Sequence, residues 1–390
     1  MDFAIQREAM VALLRERQAI AEPVAAAMLA VPRHVFVPGV APEDAYRDEP
    51  IVTKRDDEGR PISSSSQPAI MAIMLGQLGV EPGHRVLEIG AGTGYNAALL
   101  ARLAGPGGRV VSVDIDEDVA GQARRHLAAA GPLRAEVVCA DGGLGWPDLA
   151  PYDRLIATVG VWDLAPAWLA QLGAGGRLVV PLDLRGVQVS VAMERDGDHW
   201  VSRSVAPCGF MRMRGPYAGT EVTIMLRRDP DLVLGLPWPR EVGDVAAVLD
   251  TAPTDVAIGA EPASPFLAGM GVSLWLALHE PRWCALAGKS AATGYAATAG
   301  IVEGDSIAVL AMEGPLAARG HGPDGGRLAE ELAAHVRAWD EAGRPEATAL
   351  RIEAHPSPAT GSGGRSFDEA ELEGAVVIRK RHTTLVVALR

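Results

Sequence analysis

Val86-Leu-Glu-Ile-Gly-Ala-Gly-Thr-Gly-Tyr95 reads as a buried strand, a tight glycine turn and the start of a helix running from about Tyr95 to Leu103. Glu88 stands on the strand, two positions before the first glycine. Gly90, Gly92 and Gly94 are spaced G-x-G-x-G. The dinucleotide fingerprint is G-x-G-x-x-G, with the pyrophosphate resting on the helix N-terminus. Here the third glycine comes one residue early and an acid precedes the turn. An acidic lip suits a ligand with a cationic or polar amino-acid end better than a pyrophosphate. The spacing therefore points to S-adenosylmethionine (SAM) and disfavours a nicotinamide dehydrogenase.

Outward from this stretch the chain alternates strand and helix, the pattern of a doubly wound, Rossmann-like α/β sheet. Strands are expected at Arg85 to Ile89, Arg109 to Asp114, Ala135 to Cys139, Asp153 to Thr158 and Gly175 to Pro181. Val187 to Glu194 and His199 to Val205 read as a closing antiparallel pair about the turn Asp196-Gly197-Asp198. In such sheets a ligand lies beyond the C-terminal strand ends. Those ends carry Glu88 with the glycine turn, Asp114, Asp141-Gly142 and Thr158-Val159-Gly160. Asp114 is placed to accept both ribose hydroxyls, and Asp141 to meet the adenine amino group. A single acid at a strand end is usually just solvated. Three acids and a glycine turn at successive ends together mark a SAM site.

Before the sheet, residues 2 to 18 have the spacing of an amphipathic helix, and a second helix spans about Pro23 to Leu29. Val31 to Pro38 and Ala45 to Ile51 read as extended, proline-punctuated chain. Ile62-Ser-Ser-Ser-Ser-Gln-Pro68 leads into a helix ending near Leu78, so Ser66 reads first as a helix cap.

At 390 residues, two domains are the default. Hydrophobic content of 48% and charged content of 22% are ordinary for a globular chain. The net charge of −13, without a long basic run, argues against a nucleic-acid partner. Cys139, Cys208 and Cys284 lie far apart, giving neither a metal spacing nor an even disulfide set, which fits a reducing cytoplasm. The charged first twenty residues hold no apolar segment of signal length, and no window of about 18 apolar residues suggests a membrane span. His321, His335, His355 and His382 share no ligand spacing, so no metal site is expected.

One family shares these motifs in this order. Pro32-Arg33-His34-Val35-Phe36-Val37-Pro38, Ala45-Tyr46-Arg47-Asp48, Ser66-Gln67-Pro68, Val86 to Tyr95, Asp141-Gly142, Pro151-Tyr152-Asp153 and Gln171-Leu172 with Gly175-Gly176-Arg177 resemble protein-L-isoaspartate O-methyltransferases over about residues 5 to 215. The resemblance implies that Ser66 lies beside the methyl donor and the acceptor carboxylate. It also implies SAM contacts from Glu88, Gly90, Gly92, Gly94, Asp114, Asp141 and Gly142. Ala91 and Tyr95 of the same turn, with Ile115 after Asp114, complete the candidate cofactor set. Ser64, Ser65, Val159, Gly160 and Trp162 are the candidate substrate-facing residues. Two departures bear on the acceptor side. Ser63 to Ser66 stand where the family usually has Thr-Ile-Ser, and Val161-Trp162-Asp163 stands where it tends to have small residues and proline.

The family's common form ends near residue 215, and this chain continues. The expected division is a catalytic domain at 1–220, a proline-rich linker at 221–240 and a C-terminal α+β accessory or substrate-recognition domain at 241–390. Its clearest helix is Gly326 to Asp340, with strands at Ala347 to Ile352, Ala375 to Ile378 and Thr383 to Leu389, and a loop at Pro356 to Gly364. The serine run, the length, Gly320-His-Gly-Pro-Asp-Gly-Gly-Arg-Leu-Ala, Trp339-Asp340 and Gly343-Arg-Pro345 resemble extended family members of bacterial ribosomal-peptide (lanthipeptide-type) tailoring systems. That resemblance implies methylation of an aspartate in a modified precursor peptide, the ester then closing to succinimide and opening to isoaspartate. Repair of isoaspartate in damaged proteins is the alternative, and a silent SAM-fold peptide-binding module is the second. A carboxylate is already nucleophilic at neutral pH, which accounts for the lack of a catalytic His or Lys among the strand-end residues.

Overall fold

The computed structural model describes residues 3–228, 231–259, 265–290, 295–311, 316–357 and 374–389. Residues 229–230 of the expected junction and 358–364 of the expected loop lie outside the described residues. Helices α1 (Ala4–Arg17) and α2 (Glu22–Ala30) open the chain. Val31 to Pro38, expected to be extended, instead includes a 3₁₀ turn over Arg33–Phe36, and the short helix α3 (Pro42–Ala45) follows. The cause is Arg33. Its guanidinium is fully buried and donates to the carbonyls of Ala45 (2.9 Å) and Arg47 (3.0 Å), so the chain curls around the cation. A hairpin of β1 (Ile51–Arg55) and β2 (Pro61–Ser65) follows, then α4 (Pro68–Leu78).

The alternating part then runs β3 (Arg85–Ile89), α5 (Tyr95–Ala104), β4 (Arg109–Asp114), α6 (Glu117–Ala130), β5 (Ala135–Cys139), β6 (Tyr152–Ala157), α7 (Pro166–Gln171), β7 (Leu172–Leu184), β8 (Val187–Asp196) and β9 (His199–Pro207). β5, β4, β3, β6 and β7 are parallel in that spatial order, and β8 and β9 add antiparallel strands. Strand side chains point alternately to opposite faces. Val86, Val110, Ile156 and Val179 therefore pack with α1, α2, α4 and α5 in one core. Leu87, Val111, Leu155 and Leu178 form the other. A parallel sheet covered on both faces explains why these strands are nearly all apolar.

A second, antiparallel sheet of seven strands follows. Its elements are β10 (Val222–Arg228), β11 (Asp231–Leu236), α8 (Val245–Val248), β12 (Thr254–Ala257), α9 (Pro265–His279), β13 (Trp283–Ser290), β14 (Tyr295–Glu303), β15 (Ser306–Ala311), β16 (Ala317–His321) and α10 (Gly325–Glu341). Leu328, Leu332, Val336 and Trp339 of α10 bury one stripe against this sheet. The glycine-rich run before α10 serves packing: a Cβ at Gly320 would lie 1.9 Å from the Gly325 carbonyl oxygen.

The last strands, β17 (Leu350–Pro356), β18 (Val376–Arg379) and β19 (Thr383–Leu389), had been expected within the accessory domain. They hydrogen-bond to the first sheet, extending it to ten strands in the order β18-β19-β17-β9-β8-β7-β6-β3-β4-β5. The pairing covers the open hydrogen-bonding edge of β9, which an isolated sheet would have to protect some other way. Helix α9 ties the two sheets together: Leu274 and Leu278 join the core of the first, while Val272 and Leu276 join that of the second. No helix among the described residues is long and apolar enough to cross a membrane.

Candidate functional site

The glycine turn leaves β3 with positive φ at Gly90 (97°). A Cβ at Gly90 would lie 2.9 Å from Val159 Cγ1 and 3.0 Å from Thr158 Oγ1, so only glycine fits. A cavity of about 840 Å³ opens beyond the strand ends, within the range of small-molecule sites. Glu88, Gly90, Ala91, Gly92, Tyr95, Asp114, Ile115 and Gly142 of the candidate cofactor set line it, and so does the whole run Ser63 to Ser66.

The hairpin carrying the serines is fastened over this cavity. A Cβ at Gly92 would come within 3.3 Å of the Ser64 carbonyl oxygen, which puts the serine run directly against the glycine turn. Lys54 on β1 donates to Asp116 (2.8 Å), the residue that caps α6. Arg33 gathers the family-like segments at the same point, donating to the carbonyls of Ser66 (2.9 Å) and Glu49 (3.3 Å). Ser66 is not the helix cap. Gln67 holds that position without a side-chain cap, and Asp48 reaches in from the Ala45-Tyr46-Arg47-Asp48 segment to accept from the Ala69 N–H (2.8 Å).

Several expected residues stand elsewhere or act differently. Glu88 is no exposed lip. It is fully buried, and its carboxylate accepts from Asn96 Nδ2 (2.7 Å) and Ser112 Oγ (2.6 Å), bracing the turn from beneath. Asp114 braces it from the side by accepting from the Gly92 N–H (3.1 Å), and burial raises its pKa. Gly94 lies outside the cavity lining; its missing Cβ lets α6 approach, since one would sit 3.2 Å from the Ala123 carbonyl oxygen. Asp141 is also outside the lining and caps the following turn at Gly143 N (2.9 Å).

On the acceptor side, Ser64, Ser65 and Val159 line the cavity, whereas Gly160 and Trp162 do not. Gly160 is bonded to Met211 and Met213. Trp162 belongs to a contact with the C-terminal strands: its carbonyl accepts from the buried Lys380 ammonium, whose pKa burial lowers. Beside it, Asp163 accepts from the His382 N–H and Thr383 Oγ1, both at 2.6 Å. The departure at Val161-Trp162-Asp163 thus matches the added strands rather than the pocket.

Sequence reading missed Gln18, Pro50, Thr93, Asn96, the run Pro207 to Arg214 and Met270 as cavity walls. Thr93 lies inside the glycine turn itself; the others carry no motif, and Met270 comes from α9, far along the chain. Arg212 and Arg214 are engaged internally, with Glu221 (2.8 Å) and Asp116 (3.6 Å). Burial pushes the Cys208 thiol up, away from a reactive thiolate. Pairing of β9 with β17 also brings His199, Glu353 and His355 together. The two imidazoles stack at 4.5 Å and 11°, and His355 Nε2 lies 3.2 Å from the Glu353 carboxylate.

Burial raises the Glu88 pKa from 4.5 to about 7. The unfolded chain holds that proton less tightly, so stability from this group is full below about pH 4.5 and declines as pH rises to about 7. The total is about 3 kcal/mol. Glu88→Gln is expected to abolish this part of the decline, seen by comparing urea denaturation of the two proteins at pH 5 and pH 8. Parallel curves for wild type and variant would refute the assignment.

The cavity, the glycine cradle and the strand-end Asp114 fit SAM. Residues 5–215 match the family model described as Protein-L-isoaspartate(D-aspartate) O-methyltransferase (PCMT). A protein-L-isoaspartate O-methyltransferase of Methanoregula boonei is 41% identical over 213 residues, covering 54% of this chain and 94% of that one. One of Thermotoga maritima is 34% identical over 229 residues, covering 58% and 70%. A solved structure titled protein-L-isoaspartate O-methyltransferase superposes with TM-score 0.53 at 24% identity over 89% of this chain and 96% of that one, so the shared fold extends beyond residue 215. This chain belongs to the protein-L-isoaspartate O-methyltransferase family and is a SAM-dependent methyltransferase.

Proposed function

We propose that the chain methylates the free carboxylate of isoaspartyl residues in polypeptides, in the manner of a repair enzyme. The observation that carries this reading is the contact of Ser64 with Gly92, which puts the serine run and the SAM cradle in one cavity. SAM, when bound, supplies an electrophilic methyl group. The protein's own part is alignment and exclusion of water, since the acceptor carboxylate needs no base. Ser66 would donate a hydrogen bond that orients the carboxylate, with Arg33 fixing the Ser66 main chain. Glu88 and Asp114 hold the turn, and Asp114 would accept from the cofactor's ribose hydroxyls.

The reading expected from the extension, modification of an ordinary aspartate in a dedicated ribosomal peptide, has less support. It rested on the chain's length, the serine run, the stretches Gly320 to Ala329, Trp339-Asp340 and Gly343 to Pro345, and the altered loop Val161-Trp162-Asp163. The length recurs in the superposing structure, and Asp163 is bound by the C-terminal strands. Radiolabelled SAM with matched isoaspartyl and aspartyl versions of one unmodified peptide tests the choice. Transfer to the isoaspartyl peptide alone is expected. Transfer to neither, with SAM bound, would overturn the repair reading.

A further inference from the structure

We propose that a second cavity, of about 750 Å³ between the two sheets, receives apolar side chains flanking the isoaspartyl residue of the polypeptide acceptor; this rests on the carboxyl-methylation reading above.

Pro207 to Met211 and Met270 wall both cavities. The β1–β2 hairpin runs along both as well: Pro61 touches the second cavity and Ile62 to Ser66 the first. An isoaspartyl acceptor is part of a longer chain, so when its carboxylate enters the first cavity its neighbours must leave along some wall. An extended chain advances about 3.3 Å per residue, and an adjoining cavity is within reach of the next few side chains.

The chemistry of the second cavity selects what enters. Its walls come from the start of β8, from residues 207–211, from α9 and from the faces of β13 and β14. Two of its polar side chains are satisfied within the protein. Gln188 accepts from the Phe210 N–H (2.7 Å) and donates to the Phe210 carbonyl (3.1 Å). Thr298 Oγ1 donates to the Leu310 carbonyl (2.7 Å). Ser273 also lines the cavity, and the exposed Glu346 lies on its border. Most of the remaining surface is hydrocarbon, contributed by residues such as Val187, Phe210, Leu274 and Ala287. Such a site gains from leucine, valine or phenylalanine and gains nothing from serine or a charge. The second sheet thereby takes part in acceptor choice. Among the described residues, α9 alone of that sheet's elements also reaches the catalytic cavity, through Met270.

The test compares two isoaspartyl peptides of equal length that differ only in bearing leucine or serine on both sides of the isoaspartate. Wild type is expected to show about tenfold higher kcat/KM for the leucine peptide, through KM, the effect of burying one apolar side chain. Ala287→Trp, a half-buried wall position outside the first cavity, is expected to abolish that preference while leaving SAM affinity and the serine-peptide rate unchanged. Equal kcat/KM for both peptides with wild type would overturn the inference even if the variant failed to fold. So would a preference that persists in folded Ala287→Trp. Methylation of neither peptide by wild type would instead overturn the carboxyl-methylation reading, and this inference with it.

Discussion

Arg33→Met is expected to lower stability by about 3–5 kcal/mol and to abolish methyl transfer. Arg33 is fully buried, and its guanidinium donates to the carbonyls of Ala45, Arg47, Glu49 and Ser66. Among the described residues no carboxylate pairs with it directly, and burial lowers its pKa. Four carbonyl oxygens and the Ser65 hydroxyl facing one planar fork make it a joint between three stretches of chain. Methionine fills much of the space but leaves those carbonyls buried without donors, and an unsatisfied buried acceptor costs about 1–3 kcal/mol. Arg33→Lys keeps the charge yet replaces a rigid fork by a point donor, so it should fold and lose activity through the Ser66 carbonyl. Urea denaturation and turnover separate the two effects. A methionine variant within about 1 kcal/mol of wild type would show that the joint is dispensable.

Ser66→Ala is expected to lower kcat about 100-fold, the usual scale for removing one hydrogen bond to a reacting oxygen, with SAM affinity unchanged. Four serines in a row left the register of the key hydroxyl open. Strand alternation narrows it to Ser64 and Ser66. Ser63 and Ser65 are buried, Ser63 receiving a bond from Thr53 Oγ1 (3.2 Å) and Ser65 one from Arg33 (3.5 Å). Ser64 and Ser66 are half-buried on the cavity wall. Ser65→Ala should therefore change stability more than turnover, whereas Ser66→Ala should do the reverse. If Ser64→Ala lost activity and Ser66→Ala kept it, the orienting role would move to Ser64.

The departures from expectation share a cause. Glu88 was read as a lip because an acid before a glycine turn is visible, whereas its partners Asn96 and Ser112 come from the next helix and the neighbouring strand. Asp141 and Gly94 sit in the motif, but a motif does not say which way a side chain faces: one caps a turn and the other admits a helix. Trp162 was assigned to the pocket because it follows a strand end, and it turned toward Lys380, more than two hundred residues later.

What the amino-acid order determined alone was everything carried by local periodicity and backbone freedom. The strand and helix alternation from 85 to 207, the tight turn at Gly90, the SAM cofactor and the family are all carried by stretches short in sequence, because alternation, helical spacing and positive φ act within a few residues. Tertiary structure decided the rest. The capture of β17 to β19 by the edge of β9, the coiling of the N-terminal segments around Arg33, and the cavity shared by the first sheet and α9 all depend on contacts between distant segments. Such contacts form wherever a buried charge, an open strand edge or an apolar face must be satisfied, and nothing within the local sequence states which distant segment will satisfy it.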